Sequence, residues 1–180
     1  FLGTFGHLDI LVNNAACGER RSLVDMDRGR FEAILQTNVT GMMLMSREAA
    51  KHFVERKAGN IVNIGSTAGV RGAANGTSYY ASKFAVRGMT ECWRAELRQH
   101  NVRVFLIKRR EVLTNFAAAA GFSQDDKNPT KLQPEDLAHI VKAALEMNNR
   151  GFTTELAVFA TNPKDWGRGV PACRSTKRTC

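Results

Sequence analysis

"NIVNIGSTAGVRGAANGTSYYASK" (60–83) passes from a short β-branched apolar run, through a glycine-rich connection, into a sequence of helical period. Its opening residues suit a strand buried on both faces of a parallel sheet, and the residues after Gly76 suit a helix. The glycines at 65, 69, 72 and 76 fit neither the Gly-x-Gly-x-x-Gly fingerprint nor a P-loop, and read as a flexible βα loop. Strand, loop and helix in that order form one unit of an α/β fold.

The same unit recurs on either side. "LDILVN" (8–13), "VRVFLI" (102–107) and "ELAVFA" (155–160) are further apolar strands. Residues 26–57 predict one long helix, with Asp25 or Asp27 as N-cap and Lys57 to Gly59 as its end. Residues 78–99 predict a second helix. "QPEDLAHIVKAALEM" (133–147) predicts a third, whose Pro134, Glu135 and Asp136 suit a helix N-terminus. Residues 1–162 are therefore expected to form one α/β domain with a mostly parallel sheet, and 163–180 an unstructured basic tail.

Composition narrows the function. The chain has 180 residues, 43% of them hydrophobic, enough for one core, and no apolar run long enough to span a membrane. Cys17, Cys92, Cys173 and Cys180 form no C-x-x-C pair, and His7, His52, His100 and His139 show no ligand spacing, so no metal site or disulfide framework is expected. A reducing cytoplasm is the expected compartment. The net charge of +9 sits mostly in 108–110 and in the last twenty residues, without interleaved aromatics, which argues against nucleic-acid binding.

Chemistry enters with "SYYASK" (78–83). Residues four apart share a helix face, so Tyr79 neighbours Lys83, while Tyr80 points about 100° away. An ammonium beside a phenol favours the phenolate, bringing a pKa of about 10 toward the range of an acid/base catalyst. Ser66 lies thirteen residues upstream, Asn38 stands in "LQTNVTG" (35–41), and "LVNNAA" (11–16) ends the first strand.

Together these motifs resemble the short-chain dehydrogenase/reductase family, in its 3-oxoacyl-reductase-like branch, over about residues 5–163. The resemblance implies a Rossmann-like doubly wound parallel sheet and an oxidoreductase that moves hydride between the nicotinamide of NAD or NADP and a ketone or secondary alcohol. It implies Tyr79 as proton donor or acceptor, Ser66 as the residue orienting the substrate oxygen, Lys83 as tuning Tyr79 and binding the nicotinamide ribose, and Asn38 as holding a relay water. Asn13 and Ala15 would border the cofactor ribose. Val112 and Thr114 would hold the carboxamide and pyrophosphate. A homo-oligomer is implied as well. Residues 114–130, small and apolar at first, suggest a hydrophobic substrate.

Departures from the family pattern set the limits. The phosphate loop, the residue choosing NAD or NADP and the adenine contact have no counterpart, so only strands four to seven of the usual seven are expected, as an incomplete domain with impaired cofactor binding. "LDILVN" would then be an edge strand and an aggregation hazard. Arg109 and Arg110 stand where the family has Pro-Gly, and should disturb the nicotinamide wall. Ala16 replaces a glycine. The alternative is a catalytically inactive relative that works by association through the helices at 26–57 and 78–99.

Overall fold

The computed structural model describes residues 2–110, 112, 114, 116, 120 and 130–162. Four parallel strands, β1 (Ile10–Asn13), β2 (Gly59–Ser66), β3 (Val102–Arg109) and β4 (Glu155–Val158), lie in the order β1-β2-β3-β4. Each matches an expected strand, and β2 and β3 run two residues further than their apolar cores, as far as Ser66 and Arg109. β1 is the edge strand, as anticipated, with Ile10 40% and Val12 46% exposed. The expected tail at 163–180 lies outside the described residues, as do most of 115–129.

Helices cover the sheet unequally. After a short N-terminal turn of helix, α1 (Leu2–Phe5), the segment between β1 and β2 holds α2 (Arg28–Leu35) and α3 (Met42–Arg56), joined through a widened π turn at Gln36–Gly41. The single long helix expected there is therefore interrupted around Asn38. β-Branched Thr37, Val39 and Thr40 fit a tight α-helical turn poorly, and π turns concentrate at functional sites. Asp27 is the N-cap, its Oδ1 accepting from the Arg30 N–H at 2.7 Å, and Lys57 closes α3 in the left-handed region at φ 53°. α4 (Thr77–Leu97) links β2 to β3, and α5 (Pro134–Glu146) precedes β4. At the start of α5, Asp136 accepts from the Gln133 N–H at 2.8 Å, completing a capping box.

Alternation along the strands sorts the core into two faces. On one, Ile61, Val102, Val104 and Leu106 pack under Ala49 and Phe53 of α3 and Val86 of α4. On the other, Val62, Ile64, Phe105 and Ile107 meet α5 through Ala144, Leu137 and Val141. Arg103 fastens that helix, donating to the Leu145 carbonyl at 3.0 Å and the Met147 carbonyl at 2.9 Å. Among the described residues, nothing on this second face covers β1.

The first face turns polar toward the carboxyl ends of its strands. Asn13 Nδ2 donates to Ser46 Oγ (2.9 Å) and to Asn63 Oδ1 (2.8 Å), and Asn63 Nδ2 donates to Thr90 Oγ1 (2.9 Å). Each of these buried groups has a partner, so the chain of bonds pins β1, α3, β2 and α4 together without an orphan.

Candidate active site

The carboxyl ends of β1, β2 and β3 converge, which is where open α/β sheets bind their ligands. Ser66 ends β2 and Arg109 ends β3, side by side in the parallel register. Ser66 Oγ accepts from the Ala68 N–H at 3.1 Å and turns the chain through Thr67–Gly69. A Cβ on Gly69 would stand 2.6 Å from the Lys83 carbonyl, so the glycine is there for close approach to α4. Gly76 serves likewise against the Tyr80 ring. The flexibility expected of this loop is, at these two positions, tight packing.

α4 carries Tyr79 and Lys83 inward. Tyr79 is 8% exposed and lines the same cavity as Ser66. Lys83 is 5% exposed, lies 5.8 Å from the centre of the Tyr79 ring and donates to the Ile64 carbonyl at 3.0 Å. Burial lowers the Lys83 ammonium to a pKa of about 8, helped by the nearby Arg109 charge. The Tyr79 phenol moves the other way from the expectation. Burial pushes it above its ordinary value, and the Arg109 guanidinium and the Ser66 hydroxyl only partly offset that. Arg109 is thus the cation that bears most on the tyrosine, a role no spacing rule on α4 could have indicated.

Asn38 is buried and its side chain makes three hydrogen bonds. Oδ1 accepts from the Cys17 N–H at 2.8 Å, while Nδ2 donates to the Cys17 carbonyl at 2.8 Å and to Ser82 Oγ at 2.9 Å. Ser82 in turn donates to the Tyr79 carbonyl at 2.7 Å. Asn38 therefore clamps the loop after β1 to the helix that bears Tyr79. Cys17 and Ser82 belong to this clamp and carried no motif of their own.

Two cavities meet here. The larger, about 1050 Å³, runs along the open face of β1 and is bounded at the site by Ala15, Ala16, Gly18, Val112 and Thr114. The smaller, about 600 Å³, is walled by Ser66, Tyr79 and Tyr80. Arg109, Val112 and Phe116 line both. Phe116 packs on Tyr79, ring centres 5.3 Å apart, and lies under the Arg109 guanidinium at 5.6 Å, so this stacked pair divides the cavities. Asn13, Asn38 and Lys83 line neither cavity and stand behind their walls. Tyr80 is edge-on to Tyr79 at 6.2 Å and helps wall the smaller cavity.

Ala15 and Ala16 give the wall of the larger cavity small side chains, Gly18 lies close against the Tyr79 and Phe116 rings, and Arg109 lines that cavity beside them. Among the described residues no glycine-rich turn receives a diphosphate.

The order of motifs, the parallel sheet and this geometry agree with what comparison with known proteins finds. The model of the short chain dehydrogenase family matches residues 2–124. The 3-oxoacyl-[acyl-carrier-protein] reductase of Thermotoga maritima is 35% identical over 100 residues, 56% of this chain and 41% of that protein. The 2-dehydro-3-deoxy-D-gluconate 5-dehydrogenase of Escherichia coli is 36% identical over 112 residues, 62% of this chain and 44% of that protein. The closed form of a serine dehydrogenase complexed with NADP+ superposes with a TM-score of 0.78 at 31% identity, covering 84% of this chain and 64% of that one. This chain spans less than half the length of either sequence relative. With the family's model matched across most of the described residues and its fold present around Ser66, Tyr79 and Lys83, the chain belongs to the short chain dehydrogenase family.

Proposed function

We infer that this chain carries the acid/base machinery of an NAD(P)-dependent oxidoreductase that interconverts a ketone and a secondary alcohol. The observation that carries this is the placement of Ser66 and Tyr79 together on the wall of the smaller cavity, with Lys83 buried behind the ring. A serine dehydrogenase of the same fold complexed with NADP+ supports a nicotinamide cofactor.

When bound, a nicotinamide would supply or take the hydride at the carbonyl carbon. Ala15, Val112 and Thr114 would border its ring and ribose, as the walls of the larger cavity. Ser66 would donate to the substrate oxygen and hold it beside the Tyr79 hydroxyl. Because its pKa is raised, Tyr79 keeps its proton at neutral pH and is suited to deliver it to that oxygen during ketone reduction. Lys83, with its lowered pKa, exchanges its proton near neutral pH and so can restore the one Tyr79 gives up. Asn38 would act by fixing the loop after β1 against α4, through the Cys17 and Ser82 bonds.

The test is titration of the chain with NADPH and with NADH, following nicotinamide fluorescence, then turnover of a panel of ketones. Tyr79→Phe should leave cofactor binding in place and lower turnover roughly 100-fold or more. Turnover by Tyr79→Phe equal to that of the parent would overturn the assignment. A second reading, association without catalysis, is favoured by apolar side chains exposed on the long helices, Met45 at 59% and Phe84 at 46%. A discrete oligomer with no cofactor binding up to millimolar concentration would select it.

A further inference from the structure

We propose that the carbonyl compound taken by the smaller cavity is an anion, carrying a carboxylate or phosphate beside an apolar body. The inference rests on the oxidoreductase reading for the carbonyl and on the cavity's charge for the acid group. Arg20, Arg71, Lys108 and Arg109 line it, and no carboxylate does so among the described residues. Lys108 is neutralised by Glu155 at 2.6 Å. Glu19, the carboxylate next to Arg20, is buried at 8% exposure and lines neither cavity.

The arginines sit where a substrate's far end would reach them. Arg109 is beside Ser66 in the sheet register, and its charge acts on Tyr79, so an acid group bound to it stays close to a carbonyl held by Ser66 and Tyr79. Arg20 and Arg71 come from two different loops, fastened together by the Arg21 N–H donating to the Asn75 carbonyl at 2.8 Å. An arginine offers paired donors to a carboxylate or phosphate, and the bond gains strength away from bulk water. The apolar part of the wall, Val70, Phe116 and Phe159, accommodates the hydrophobic body expected from residues 114–130 and leaves the acid to the cations.

The test compares probes of one shape and different charge. Acetoacetate, acetonyl phosphate, methyl acetoacetate and acetate are titrated into the full chain, with binding read by ligand-observed NMR at low and high salt. Acetoacetate or acetonyl phosphate, whichever acid the site prefers, should bind at least tenfold more tightly than the neutral ester. That preference should fall severalfold in Arg109→Gln, in Arg71→Gln and in high salt, which screens charge. Arg71→Gln alters an exposed loop residue and keeps the test open if Arg109→Gln misfolds. Equal binding of ester and acid, or acetate binding as tightly as acetoacetate, would overturn the proposal. Failure of the oxidoreductase reading looks different: arginine-dependent binding of the acids would persist while neither cofactor bound and Tyr79→Phe changed nothing.

Discussion

The two faces of one sheet are built to different standards, and the helical candidates Asn38, Tyr79 and Lys83 all hang from the better one. Beneath α3 and α4, Ile61, Val102 and Val104 are at most 1% exposed and Phe53 is fully buried. The polar bonds from Asn13 through Asn63 to Thr90 are complete there. On the opposite face α5 covers β2 and β3 but leaves Ile10 and Val12 of β1 to the larger cavity. The closed face fixes Tyr79, Lys83 and the Asn38 clamp, and the open one lines the larger cavity with Ile10 and Val12. The placement of Tyr79 and Lys83 therefore rests on packing in which the open face of β1 takes no part.

The sharpest way to break that comparison is to hollow out the closed face. Phe53 touches Ala49, Ile61 and Val104, and its ring fills the space that a side chain at Gly59 would need. Phe53→Ala should lower unfolding stability by about 3–5 kcal/mol, the range for a fully buried phenylalanine, read from urea denaturation. A loss under about 1 kcal/mol would mean that the closed face is not what holds the fold.

Lys83 sharpens the same contrast through pH, since it is the charge buried deepest in the closed face. Its pKa falls from the ordinary lysine value to about 8 in the fold. Below pH 8 both states hold the proton and the fold bears the full cost of burying it. Between about pH 8 and the unfolded value near 10.4 the folded chain has released the proton while the unfolded chain keeps it, so stability rises with pH across that window. Relative to Lys83→Met, the parent should gain on the order of 3 kcal/mol from pH 7 to pH 10. Tyr79, shifted upward, acts with the opposite sign: its stabilising share is complete below about pH 10 and is lost above it, equally in both proteins. A flat difference between parent and Lys83→Met would show that the ammonium is better solvated than its surroundings indicate.

Legibility in the sequence followed the same division. The strands were readable because parallel strands buried on both faces are near-continuous apolar runs, as at 60–64 and 102–107. Tyr79 was separable from Tyr80 by its i,i+4 spacing to Lys83 together with Ser66 thirteen residues upstream. Less could be read where a side chain's role depends on a partner distant in the chain. The π turn at Asn38 accompanies bonds to Cys17 and Ser82, residues 21 and 44 positions away. The raised Tyr79 pKa depends on burial and on Arg109, thirty residues on, and neither follows from the spacing to Lys83. Arg109 was visible as a departure from Pro-Gly, but its stacking on Phe116 and its place between two cavities needed the fold.

The smallest effect tests the open face. Val12 is 46% exposed on an edge strand, and its outward neighbours in the sheet are cavity and solvent among the described residues. Val12→Lys removes little buried area, so unfolding stability should change by no more than about 0.5 kcal/mol. A lysine on an exposed edge also opposes strand pairing between copies, so light scattering at high protein concentration should fall. The two readings answer different questions. Unchanged stability with less scattering means that β1 is bare in solution and that copies meet through it. A loss approaching that of Phe53→Ala would mean that Val12 is covered in solution, by another copy or by chain beyond the described residues, and the contrast between the faces would then belong to the isolated fold alone.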